Sequence, residues 1–304
     1  MRKYYFFSIA FILLVHCAVA QKQTKQLAEL GLKGMVKFMA ERSYVALDNF
    51  GKPVKGERAN DNADYTFNKT GSPAEQNIYN QNGSLRVRYT YRYNASDKLT
   101  EQNLYNPGGA LKSKFKYRYN NGNLVEQSLF KPGGGLISKY TYEYDSRSYQ
   151  TVYNWYNSDG VLDEKTIYLY DVKGNQVAWR SVNAGDTALI QAVYQYDDKG
   201  NMTEEKLYKA NDSLDKKTIF SYDAKGNQTE IKEYDSAFTK IINYKYNAQN
   251  NIVEEIWLDK NGDQLEQYTY KYDYDKHLNW TKKITYRNGA PVTIMEREFE
   301  YFKK

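Results

Sequence analysis

Cysteine is almost absent from this chain. The single copy, Cys17, sits within the first twenty of 304 residues, next to His16, one of only two histidines. If that opening segment is removed, no thiol remains, and disulfide staples are excluded even where the compartment would allow them. His277 is then the sole imidazole, which leaves little from which to build a Ser–His–Asp or Cys–His arrangement. A strong charge of one sign is also missing. Lys and Arg number 43 against 37 Asp and Glu, a formal +6, or +4 once the two cations Arg2 and Lys3 leave with the opening segment. So slight a bias argues against nucleic acid, whose partners carry a concentrated basic footprint. Beyond residue 20 there is no apolar run long enough to read as a membrane helix.

The opening segment itself reads as an export signal. Arg2 and Lys3 precede an apolar stretch, Tyr4 to Val15, interrupted only by Ser8, and Ala18-Val19-Ala20 supplies the small residues of a cleavage site. Residues 1–20 are therefore expected to be removed before Gln21, with the mature protein in the periplasm, on the outer surface or secreted. Lipidation at Cys17 is the competing reading, although His16 stands where such a signal wants a small side chain.

What the chain has in abundance is tyrosine, 32 copies, and they are periodic. The aromatic that closes each alternating run falls at Phe67, Tyr93, Tyr119, Tyr144, Tyr170, Tyr196, Tyr222, Tyr246 and Tyr272, about every 26 residues. A period of that size marks a repeat architecture. Within a unit, Leu85, Val87, Tyr89, Tyr91 and Tyr93 share one face and Arg86, Arg88, Thr90 and Arg92 the other, the pattern of a half-buried strand. A turn follows, clearest as Asp197-Asp198-Lys199-Gly200, and a return strand such as Asn201 to Tyr208. A second turn rich in Asn, Pro and Gly leads to the next unit.

These features predict an all-β protein. Tandem β-hairpin repeats of about 26 residues would form one long, twisted and rolled antiparallel sheet, with tyrosines inside; a β-propeller-like arrangement is the alternative. The expected organisation is a signal peptide (1–20), an N-terminal segment with a divergent capping repeat (21–64), and the repeat domain (65–304). Gly34 to Tyr44 reads as a strand of that cap, and Arg58 to Asp64 as a loop.

The segment Tyr194-Gln195-Tyr196-Asp197-Asp198-Lys199-Gly200-Asn201, its counterpart Tyr168 to Asn175 and the near match Phe220 to Asn227 resemble the YD repeats of the Rhs family, shared with teneurins and bacterial toxin-complex shells. The resemblance covers roughly residues 65 to 302. It implies a spiral β-sheet, and contact with carbohydrate or protein, but no catalysis. The self-cleaving segment of the large members carries Asp-Pro, and no Asp precedes a Pro here.

Candidate chemistry is sparse. Asp273, Asp275 and His277 are close enough in sequence to consider a metal, although turn residues account for them. Glu101, Glu126, Glu204, Glu230 and Glu254 recur in one register of the return strand, which points to a ladder pairing with Lys or Arg rather than a glycosidase pair. The least ordinary feature is a run of cations on two consecutive outward faces: Arg86, Arg88 and Arg92, then Lys112, Lys114, Lys116 and Arg118. Equivalent strands lie ~10 Å apart, so these seven are expected to form one patch able to hold an anionic polymer. The expected protein is thus an exported, non-enzymatic binding or scaffold protein of the cell envelope with no cofactor, contacting polysaccharide or another envelope protein. A small shell or immunity partner of a secreted toxin is the alternative.

Overall fold

A computed structural model of the chain describes residues 27, 30–60, 62–235 and 239–303; the expected export signal and Cys17 lie outside the described residues. The described chain is built almost wholly of antiparallel strands. A first hairpin joins β1 (Val36–Asn49) to β2 (Lys52–Arg58). Then follow β3 (Asn62–Phe67), β4 (Pro73–Tyr79), β5 (Leu85–Tyr93), β6 (Leu99–Tyr105), β7 (Leu111–Asn120), β8 (Asn123–Phe130), β9 (Leu136–Tyr144) and β10 (Gln150–Tyr156). The second half comprises β11 (Leu162–Tyr170), β12 (Gln176–Asn183), β13 (Ala188–Tyr196), β14 (Met202–Lys209), β15 (Leu214–Tyr222) and β16 (Gln228–Asp235). It ends with β17 (Thr239–Tyr246), β18 (Ile252–Leu258), β19 (Gln264–Tyr274), β20 (Trp280–Arg287) and β21 (Ala290–Tyr301).

From β3 to β21 each strand pairs with the next, and β1 pairs with both β3 and β21, so the sheet closes on itself as a 20-strand barrel. The expected long, twisted and rolled sheet is therefore corrected to a closed barrel, and the propeller is corrected too. The physical reason lies at the edges. An open sheet would leave β3 and β21 with unpaired backbone groups, and β1 satisfies both, with Phe38 opposite Thr66 on one side and Glu300 on the other. The segment expected to cap the first repeat is the closing strand instead, and part of the expected 58–64 loop is the start of β3.

The alternation assigns the two faces. Residues left exposed in mid-strand, such as Arg92, Lys116, Glu143, Leu169, Gln195 and Lys245, all stand on the face opposite the tyrosines. Side chains converge on the concave side of a closed sheet and splay on the convex side, so the tyrosines line the inside. Val36, Met39, Tyr65 and Phe67 close the seam from within, and Leu27, Leu30 and Leu32 pack against them.

The Asp-x-x-Gly-Asn hairpins repeat one set of local interactions. Asp197 Oδ1 accepts from the N–H groups of Lys199 (2.9 Å) and Asn201 (2.8 Å), and the Asn201 amide donates to Asp197 Oδ2 at 2.8 Å. Gly200 takes φ 86°, the left-handed conformation that closes the turn. After the turn one residue is skipped in the pairing: Arg92 faces Glu101 but Tyr93 faces Leu99, leaving Thr100 as a bulge. The same skip falls at Val125, Thr151, Val177, Thr203 and Thr229, all β-branched. Bulges raise the local twist and help the wall to curve.

A bulge also disturbs the ladder beside it, and the tyrosines supply a donor there. Tyr196 donates its hydroxyl to the carbonyl of Gln176 at 2.7 Å, the residue directly before the Val177 bulge. Tyr93, Tyr144, Tyr170 and Tyr222 make the same bond to Pro73, Leu124, Gln150 and Met202. This explains why the residue closing the run is tyrosine in every copy after the first, which has Phe67. Tyr196→Phe should lower stability by about 1–2 kcal/mol, because a part-buried carbonyl loses its partner; the midpoint of urea unfolding measures this, and an unchanged midpoint refutes it.

Candidate binding surface

All seven expected cations lie on the convex face, on β5 and β7, with β6 between them. The strands do bring them together, as the alternation implied. Their surroundings differ from a bare cationic patch. Glu101 on β6 stands between Arg92 (3.6 Å) and Lys114 (3.4 Å), and Glu126 on β8 pairs with Arg118 at 3.0 Å. Arg88 lies over the ring of Tyr105 at 4.7 Å and Lys116 over Phe130 at 5.7 Å. Arg86 and Lys112 are left, and they share a distinction. Each is the residue skipped in the pairing at the start of its strand, and each is exposed. No ion pair holds either of them among the described residues.

The recurring glutamates behave as a ladder. Glu204 holds Lys217 and Lys206, each at 2.7 Å, Glu230 holds Lys232 at 2.9 Å, and Glu254 holds Lys245. Burial alone would push Glu101 up, but the Asn103 amide and Lys114 outweigh it and keep the carboxyl below its usual range. Hydrogen bonds from Lys206 and Lys217 lower Glu204, and Lys245 lowers Glu254. A carboxylate so held stays ionised near neutral pH, which suits a ladder rung and not a proton donor.

The concave face has a second ladder that the sequence reading passed over. Tyr117 and Tyr142 donate to Gln102 (3.0 Å) and Gln127 (3.2 Å), and Tyr91 to Gln76 at 3.2 Å. Elsewhere the inner wall carries ion pairs instead: Lys216 with Glu233 at 2.6 Å between β15 and β16, and Arg297 with Glu41 at 2.7 Å across the seam. The signal was available, since Gln76, Gln102 and Gln127 recur with the same period as the tyrosines.

Asp273, Asp275 and His277 do not converge. Asp273 faces Lys282 on the outer wall, Asp275 accepts from the His277 and Asn279 N–H groups of its own turn, and the His277 ring lies against Tyr301 at 4.2 Å between centroids. Among the described residues no cluster of His, Cys, Asp and Glu could hold a metal ion. Asn279 links the two ends of the chain. Its amide donates to the Lys33 carbonyl and the Tyr301 hydroxyl, each at 2.8 Å, and its carbonyl accepts from the Lys33 N–H at 2.7 Å.

A family described only as an uncharacterised protein matches residues 54–157, about a third of the chain. No curated protein matches. A porin-like protein from Bacteroides uniformis aligns with 87% of this chain and 98% of its own, at 12% identity and a TM-score of 0.34. A porin-like protein from Bacteroides vulgatus aligns over 89% and 100%, at 11% identity and a TM-score of 0.29. The Photorhabdus luminescens Tc holotoxin pore aligns with 82% of this chain but only 17% of its own, at 11% identity and a TM-score of 0.33. Similarity this remote transfers no activity, ligand or location to the chain.

Proposed function

We propose that this chain is an exported, non-enzymatic binding or scaffold protein of the cell envelope, and that it binds an anionic polysaccharide along β5 to β7. The observation that supports this is the strip itself: seven cations stand against Glu101 and Glu126 on one continuous convex surface. The YD-repeat resemblance of segments such as Tyr194 to Asn201 fits a scaffold of this kind. The barrel stands in water and does not span a lipid bilayer. Its convex face carries the Glu–Lys ladder at mid-strand, where a lipid-spanning barrel has an apolar band.

The structure sharpens the test. Arg86 and Lys112 are unpaired and reach solvent, whereas Arg92, Lys114 and Arg118 are partly neutralised. Changing Arg86, Arg88, Lys112 and Lys114 to Gln should lower the salt needed to elute the protein from a heparin column. Most of that drop should already appear with Arg86→Gln and Lys112→Gln alone, since exposed charges act over roughly 8 Å at physiological ionic strength. Folding should be nearly unaffected, surface changes altering stability by about 0.5 kcal/mol each. Elution of the quadruple variant at the parental salt would remove the strip as a binding surface.

A further inference from the structure

One part of the molecule stands outside the barrel wall. The pairing of β1 with β3 ends at Glu41 and its pairing with β21 at Val45, while β1 and β2 go on pairing with each other to Asn49 and Lys52. The four residues from Ala46 to Asn49 add ~13 Å beyond the wall. The finger ends on Phe50, which is fully exposed at 102% and held at φ 50°. Left-handed backbone is unfavourable for a bulky residue, and Asn, Asp or Gly is the usual choice in such a turn. Leu47 (52% exposed) and Val54 directly opposite it (38%) continue the apolar surface. A bulky apolar residue that is strained and left fully in water points to a partner.

We propose that this rim docks on an anionic lipid surface, with Phe50 and Leu47 entering the headgroup boundary and nearby cations meeting the phosphates. Three observations favour lipid over another protein. The outer edge of β2 is blunted for strand addition, because Pro53 lacks an N–H and Lys52 and Lys55 flank it. The finger has about ten residues, where a stable protein interface draws about 20–30 from each side. The third is the composition of the rim. Arg86 and Lys112, the two cations of the strip held by neither an ion pair nor an aromatic ring among the described residues, lie at the same end of the barrel on β5 and β7, and the Arg58 guanidinium at the finger's base lies against the β4–β5 turn at Gly83. Ile137, Leu189 and Leu265 occupy the equivalent skipped positions on β9, β13 and β19 and are themselves exposed. Asp163 and Asp215 hold that position on β11 and β15, so contact is centred on the finger side. An aromatic tip beside lysines and arginines is the chemistry of interfacial anchoring.

The test is flotation of the mature protein with vesicles of phosphatidylcholine containing phosphatidylglycerol, compared with phosphatidylcholine alone. The parent should float with the anionic vesicles. Phe50→Asn should cut the bound fraction about tenfold or more, yet melt no lower than the parent, because Asn accepts the left-handed turn. Arg86→Gln with Lys112→Gln should abolish the preference for anionic vesicles. Phe50 lies outside the heparin-binding strip, so its variant should keep parental heparin retention, which separates this proposal from the polysaccharide reading. The proposal is overturned if the parent does not float, or if Phe50→Asn floats as well as the parent. It is overturned equally if Phe50→Asn dissociates a dimer, which would make the finger a contact between copies.

Discussion

Above pH 10 the barrel should unfold in one steep step. Burial pushes the hydroxyls of Tyr144, Tyr168, Tyr244 and Tyr272 up to about 12, and those of Tyr91, Tyr117 and Tyr142 higher still. In the unfolded chain the same groups ionise near 10. The folded state therefore holds protons that the unfolded state has lost, and stability falls as pH rises. The full contribution is present below about pH 10 and disappears as pH climbs toward the folded-state values. Each such tyrosine contributes a slope of about 1.4 kcal/mol per pH unit. A handful acting together cancel a typical stability of about 5–15 kcal/mol within one or two units. Tyrosinate absorbance and far-ultraviolet circular dichroism should change together, in a single transition. A gradual absorbance rise centred near pH 10, with the β-signal intact, would show that the inner hydroxyls ionise freely and would refute the account.

The second large effect is expected at Asn279. Its side chain is 2% exposed and makes three hydrogen bonds, two of them to the backbone of Lys33, which joins the β19–β20 turn to the entry of β1. Asn279→Ala leaves the Lys33 N–H and carbonyl without these partners, a loss of about 2–4 kcal/mol. The loss should be local in origin. Amide exchange in β1 and β21 should accelerate first, because those strands close the seam, while β9 to β12 on the far wall stay protected. Equal acceleration around the ring would mean that Asn279 stabilises the barrel only globally.

The parts of this fold that were legible in the sequence are those fixed by near neighbours. The Asp-x-x-Gly-Asn turn is readable because one carboxylate, one left-handed glycine and one amide satisfy each other within five residues. The tyrosine face is readable because alternation survives along β5, β7 and β9. Closure was not. The pairing of Glu41 with Arg297 spans almost the whole chain, and no local pattern announces it. The bulges were hidden for another reason: skipping Thr100 or Thr203 interrupts the period-two alternation of the return strands, so no clean pattern marks the skipped residue. The seven cations share the face that alternation gives them, but their neutralisation by Glu101 and Glu126 depends on register between strands, which composition does not reveal.

The way the ring closes sets a rule for its size. β21 ends the chain as an unaccompanied strand, and β1, from the opposite terminus, completes the pair. Because β1 must run antiparallel to both neighbours, the ring admits only an even number of strands. A whole repeat carries two strands, so duplication or loss of one leaves the closing geometry intact and changes the circumference by ~10 Å. Loss of half a repeat would present β1 with a neighbour running the wrong way. The bore of such a barrel is thus adjustable in fixed steps by copying the same 26-residue cassette, without redesigning the join.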